Sequence, residues 1–278
     1  MPEDQAVPSG QAGDGWSATV DRFSGYAADY DTYRPQPPGD LVDFLAALPG
    51  KALDTVVDLG CGTGLSTRVW AGRARSVVGV DPSADMIARA RVAAAAPNVT
   101  YHCRFGHDTG LPDRCADLIT CGLSLHWMDP APTAAEVGRL LRPGGAFGTY
   151  WEHWASPMAE VERAFRELER QVDELDGRLG ASATLRRWPR RAQEKQLAGC
   201  GLFALTREIA FHHVAPLTAD QLVRMVRTLG AVMVLVKHGL SDDQIGLTKF
   251  GEVAAAAFGG QAKPIYHTWG LWYGVAKS

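Results

Sequence analysis

The chain has 278 residues, 46% of them hydrophobic and 21% charged, and a formal net charge of −3, a profile of globular proteins long enough to bury a large core. That balance leaves no basic excess for a nucleic-acid backbone or an anionic membrane surface. Five cysteines without a CxxC pair read as small core fillers in a reducing compartment, with no disulfide framework or zinc site implied. A cytoplasmic protein without nucleic-acid or membrane partners is expected.

Residues 1–20, MPEDQAVPSGQAGDGWSATV, carry Pro, Gly, Asp and Ser but neither a basic start nor an apolar stretch, so they read as a disordered tail and not as a secretory signal. Residues 21–50 are rich in aromatic residues and read as a helical cap. From 51 to 154 apolar runs alternate with helical patterns. TVVDL (55–59), SVVGV (76–80), VTYHCRF (99–105), ADLITCG (116–122) and AFGTYW (146–151) are strand-like, and LSTRVWAG, SADMIARARVAAA and PTAAEVGRLL are helix-like. Short Val, Ile and Leu runs that are apolar on both faces predict a parallel sheet covered on both sides, a doubly wound α/β arrangement.

Residues 155–278 read as helical insertions plus closing strands of the same sheet. An amphipathic helix is predicted over 158–175 from Val161, Ala164, Phe165, Leu168, Val172 and Leu175. LTREIAFHHV (205–214) and IYHTWGLWYGV (265–275) read as strands, and Thr218 with Gln221 forms a capping box opening a helix. The longest strongly apolar run, AVMVLV at 231–236, is too short to span a bilayer.

The stretch VVDLGCGTG at 56–64 ends an apolar strand in a turn stripped of side chains. Glycine permits positive φ there and lets a ligand lie against backbone, and a following helix would present its N-terminal amides. The spacing Gly60-x-Gly62-x-Gly64 puts Leu65 where a dinucleotide fingerprint has its last glycine, and no Gly-Lys-Ser/Thr follows, so neither a dinucleotide nor a P-loop site is indicated. Asp81 ends the next apolar run, where an acid can accept both hydroxyls of a ribose.

In order and spacing, VVDLGCGTG, VVGVDPSADMI, FGHDTGLP, ADLITCGLSLHW and LLRPGGAFGTYW resemble the motifs of class I S-adenosylmethionine-dependent methyltransferases. The upstream AADYDTYRP and the LHW resemble the small-molecule branch, which includes trans-aconitate and ubiquinone-pathway methyltransferases. The resemblance implies a Rossmann-like, seven-stranded, mostly parallel sheet with an antiparallel last strand. S-adenosyl-L-methionine would be the cofactor, S-adenosyl-L-homocysteine the product, and no metal would be used. Gly60, Cys61, Gly62 and Gly64 would line the methionine and ribose, with Asp58 supporting the amino group and Asp81 the ribose. Met86 would pack on the adenine. The third motif departs from the family, so either His107 or Asp108, with Thr109 beside them, would serve the adenine end. Tyr30 and Arg34 resemble residues that close over the cofactor carboxylate.

In-line methyl transfer chiefly needs orientation, with a base only where the acceptor loses a proton as it attacks. Residues at the carboxyl ends of strands four and five reach the ligand rim. Glu152, His126 and Tyr26 are the candidates for catalysis, and Trp127, His153 and Trp154 those for the acceptor pocket. His267 and Trp269 read as core packing, and RRWPRR (186–191) as a solvated surface turn. No Asn/Asp-Pro-Pro-Tyr/Phe motif follows strand four, so amino groups of nucleic acid or protein are not the expected acceptors. A small molecule is expected, an electron-rich indole- or phenol-like metabolite of a specialised pathway, handled by a monomer or homodimer. The alternatives are carboxyl O-methylation and a cofactor-binding partner protein without activity.

Overall fold

The computed structural model describes residue 20 and residues 27–94 and 96–278. The expected apolar runs form seven strands: β1 (Leu53–Leu59), β2 (Ala74–Asp81), β3 (Val99–Cys103), β4 (Ala116–Gly122), β5 (Leu141–Ala155), β6 (Phe203–Leu217) and β7 (Lys263–Ala276). They make one sheet in the order β3-β2-β1-β4-β5-β7-β6. β1 to β5 pair in parallel, and β7 runs antiparallel to both its neighbours. The doubly wound sheet with an antiparallel last strand is therefore present as read. Strand order reverses between β1 and β4, and such a reversal opens a crevice beyond the strands' carboxyl ends.

Side-chain alternation sorts the core. Val56, Val77, Leu118 and Leu271 pack on one face beneath α2 (Gly39–Ala47) and α3 (Ala84–Ala93). On the other face, Val57, Val80, Ile119 and Phe147 pack against α4 (Pro130–Leu140) and α6 (Arg190–Gly199). The amphipathic helix expected over 158–175 is α5 (Ala159–Leu179), with Val161, Leu168, Val172 and Leu175 buried and Gly180 ending it at φ 62°. It joins α7 (Ala219–Arg227), α8 (Gly230–Lys237) and α10 (Leu247–Phe258) in a third apolar cluster with Ile265 of β7. The Thr218–Gln221 capping box opens α7, and a second, Ser241 with Gln244, opens α9 (Asp242–Ile245). A short helix, α1 (Ala27–Tyr33), precedes α2. Among the described residues no helix is long and apolar enough to cross a membrane.

One expected helix is absent. LSTRVWAG forms turns and a single 3-10 turn over Arg68–Trp70. The backbone here bonds mostly three residues back, as in Trp70 to Thr67 and Ala71 to Arg68. Its consecutive hydroxyls, Ser66 and Thr67, both donate to the same oxygen of Asp58. That convergence fixes the segment in its turns.

Beneath the turn, Gly64 sits at φ +79°, where an added Cβ would lie 2.3 Å from the Tyr101 hydroxyl and 2.8 Å from its ring. Gly64→Ala combines left-handed strain with overpacking, so a loss of about 2–4 kcal/mol is expected in denaturant unfolding.

Candidate functional site

The crevice at the reversal point is an open cleft enclosing about 1070 Å3, reached by the ends of β1, β2, β4 and β5 and overlain by α1 and the segment after it. Gly60 and Cys61 both donate backbone N–H groups to the Val80 carbonyl, at 2.7 and 3.1 Å. Gly62 N–H donates to Asp81 Oδ2 at 3.0 Å, and Ser83 N–H donates to Oδ1 at 2.9 Å. The carboxylate thus couples the bare turn after β1 to the tip of β2. Gly62 stands at φ +53° with open space where a Cβ would be, so the backbone itself faces the cleft. Burial pushes the Asp81 carboxyl up to about 6; the Ser83 and Gly62 amides pull it back, and the Asp58 charge adds to the rise.

Asp58, expected to hold the cofactor's amino group, does not line the cleft. It is fully buried, with Ser66 and Thr67 donating to Oδ2 at 2.7 Å each and Thr120 to Oδ1 at 2.8 Å. Burial raises its carboxyl and the three hydroxyls oppose the rise. It supports the turn from below. Gly64, likewise expected at the ligand, packs on Tyr101 instead.

Tyr30 and Arg34 do line the cleft. The Arg34 guanidinium lies 5.3 Å from the Tyr30 ring centre, and its buried Nε has no hydrogen-bond partner. Between them Asp31 pairs with Arg68 at 2.7 Å and Arg89 at 3.3 Å, fastening α1 to the turn and to α3. Met86 lines the cleft, as does His107, whose ring stacks on Phe105 at 5.3 Å. Asp108 is exposed, its N–H closing a turn onto the Phe105 carbonyl. Thr109 is buried and bonded to Glu136 Oε1 through both N–H and hydroxyl. Of the two residues left open for the adenine end, the fold brings His107 to the cleft, and it brings neither Asp108 nor Thr109.

Trp127 lines the cleft, whereas His126, 4.6 Å from it ring to ring, lines a neighbouring groove with His153. Glu152 lines that same groove and not the cleft; its Oε1 meets His267 Nδ1 at 2.7 Å. Trp154 packs on Phe165 at 4.4 Å, inside the helical cluster and away from the cleft. Tyr26 lies outside the described residues. The arginines of RRWPRR are also no simple solvated turn: Arg190 stands 3.6 Å over the Trp151 ring and Arg187 5.6 Å over Trp127.

Sequence reasoning missed Tyr150, Trp269, Ser124 and Met128, which all line the cleft. Counting alternate residues back from Glu152 along β5 places Tyr150 on its face, so that signal was available. Trp269 was not accessible this way, because its place depends on pairing opposite Glu152.

A family model described as a methyltransferase domain matches residues 57–149. An uncharacterized methyltransferase of Mycobacterium tuberculosis is 36% identical over 145 residues, 50% of this chain and 58% of that protein. A malonyl-[acyl-carrier protein] O-methyltransferase of Pectobacterium atrosepticum is 32% identical over 157 residues, 55% of this chain and 59% of that one. The matched segment thus spans less than two thirds of these relatives. A solved structure from Anaeromyxobacter dehalogenans, named as a candidate type II methyltransferase, aligns with a TM-score of 0.60 at 24% identity over 88% of this chain and 98% of that chain; the likeness is one of fold.

Proposed function

We propose that the chain is a class I S-adenosylmethionine-dependent methyltransferase, a reading supported by the methyltransferase-domain match and the methyltransferase relatives, and that it methylates a small, electron-rich aromatic acceptor of the indole or phenol kind. The observation that carries this reading is the Gly62–Asp81 junction opening into a cleft whose other walls include Tyr30, Trp127, Tyr150 and Trp269.

The residues present fit the cofactor. Gly60, Cys61 and Gly62 offer bare backbone, Asp81 offers a carboxylate for ribose hydroxyls, and the partnerless Nε of Arg34 suits a carboxylate. Met86 and His107 would flank the adenine. When bound, S-adenosylmethionine supplies an electrophilic methyl on a sulfonium. The protein's part is to orient the acceptor, exclude water and present ring faces to the cation.

The test is to incubate the purified chain with methyl-labelled S-adenosylmethionine, phenol, indole and metabolite pools, then to follow label by mass spectrometry. Gain of one labelled methyl on an aromatic compound is expected. A second reading, carboxyl O-methylation, draws on the malonyl-[acyl-carrier protein] relative and on the Arg34 Nε, which could hold an acceptor's carboxylate; base-labile label on a carboxylic acid would select it. Labelling of no compound would leave the reading of an inactive cofactor-binding protein.

A further inference from the structure

Along β5 and β7, Glu152 stands opposite Trp269 and Trp154 opposite His267, with Tyr150 opposite Leu271. Cross-strand partners leave a sheet on the same face, so Tyr150, Glu152, Trp269 and His267 share one. Tyr150 and Trp269 line the cleft. Immediately beyond them lie the two ionisable groups, each side chain only 3% exposed, joined Nδ1 to Oε1 at 2.7 Å. Apolar residues of similar volume would stabilise such a position at least as well, so the pair calls for a reason other than stability.

The surrounding space supplies one. Trp269, Arg34, Pro35 and Pro37 line the cleft and also a second recess of about 950 Å3, into which His267 and His213 face. Cleft and recess therefore share a wall. A carboxylate can only accept a hydrogen bond, so Nδ1 carries the hydrogen, and Nε2 is the ring nitrogen left to take the acceptor's proton.

Building on the methyltransferase reading above, we propose that the recess between residues 32–38 and the β6–β7 pair admits the acceptor and that His267 is its general base, with Glu152 as the positioning residue. The acceptor's O–H or N–H gives its proton to Nε2. The electron pair thus released forms the new bond to the methyl carbon as the carbon–sulfur bond breaks and its pair stays on sulfur. The imidazolium is held by the Glu152 carboxylate until it returns its proton to water. Glu152 is thereby removed from direct contact with the acceptor, although the sequence alone had named it, with His126 and Tyr26, among the candidates for catalysis.

The test uses the 15N-labelled full chain saturated with S-adenosylhomocysteine and reads the histidine ring nitrogens by long-range 1H–15N correlation, with His267 assigned by its disappearance in His267→Asn. A ring protonated at Nδ1, whose Nε2 signal moves saturably as phenol is added, is expected. Glu152→Ala should scramble that tautomer without changing S-adenosylhomocysteine affinity, and Glu152→Gln, which keeps the side-chain volume, should weaken the phenol response if the alanine variant does not fold. In the labelled-methyl assay, His267→Asn should cut turnover about 10²–10⁴-fold. A ring protonated at Nε2 instead, or an Nε2 signal unmoved by phenol while S-adenosylhomocysteine is bound, would overturn the proposal. Failure of the wild-type chain to bind S-adenosylhomocysteine would sink the cofactor reading itself, and this assignment with it.

Discussion

Asp81→Asn is expected to weaken S-adenosylhomocysteine binding by about 100-fold or more without lowering thermal stability at neutral pH. Each hydrogen bond to a charged group is worth about 1.5–3 kcal/mol, and the carboxylate would accept two from a ribose. The stability half follows from the sign of the shift. Asp81's carboxyl is raised in the folded chain to about 6, against an ordinary 3.8. Its stabilising contribution is therefore full below the ordinary value and lost as pH rises through about 6, so at neutral pH the ionised group burdens the empty fold. Asparagine removes that burden, which offsets the weaker acceptance from Gly62 or Ser83. In the wild type, affinity should fall about tenfold per pH unit below 6, because a protonated carboxyl must first give up its hydrogen; the Asn variant should be flat across the same range. Calorimetric titration between pH 5 and 7.5 checks both, and equal affinities for the two proteins would remove Asp81 from the site.

Asp117→Ala should do the opposite, with a large loss of stability and little change in affinity of the folded fraction. Asp117 is fully buried at the start of β4. Its Oδ2 accepts the N–H groups of Asp54 and Thr55 at the start of β1, at 2.8 and 3.0 Å, and Arg142 of β5 at 2.7 Å; Lys51 reaches Oδ1 at 2.7 Å. One carboxylate so pins three neighbouring strands at their amino ends, away from the cleft. Burial alone would raise its carboxyl, but Lys51, Arg142 and the two amides outweigh that and hold it at about 2. Lys51 and Arg142 reach solvent, so the loss comes chiefly from leaving the Asp54 and Thr55 N–H groups without their acceptor, about 2–4 kcal/mol in all, or a melting point lower by roughly 10 °C for a chain of this size. The carboxylate's contribution is present above the ordinary 3.8 and lost as pH falls through about 2. A melting point within about 2 °C of the wild type would show that the network is dispensable.

Asp81 and Asp58 illustrate what the sequence could and could not convey. Asp81's place at the cleft was legible because an acid closing an apolar run sits at a strand's carboxyl end, and the sheet could be read because its Val, Ile and Leu runs are short and apolar on both faces. Asp58 sits in an equally suggestive motif, yet its partners Ser66, Thr67 and Thr120 converge on it only after folding. Thr109 was misplaced for a similar reason, since Glu136 lies 27 positions downstream. The Glu152–His267 pair spans 115 positions and depends on the register of β5 against β7, which local periodicity does not encode. The expected helix after the glycine turn failed because propensity took no account of two hydroxyls competing for one buried acid.

Under the proposed methyltransferase activity, the Asp31 carboxylate bears on the order of events in turnover. It is shared between Arg68, next to the bare turn, and Arg89, on the helix that follows Asp81, while Tyr30 and Arg34 on either side of it close the cleft and Arg34 also closes the recess. Lifting this segment would therefore unroof both chambers at once, and keeping it down would seal both. Departure of the spent sulfide and of the methylated product would share a single opening step, whose rate rises with ionic strength as salt competes for the two arginines.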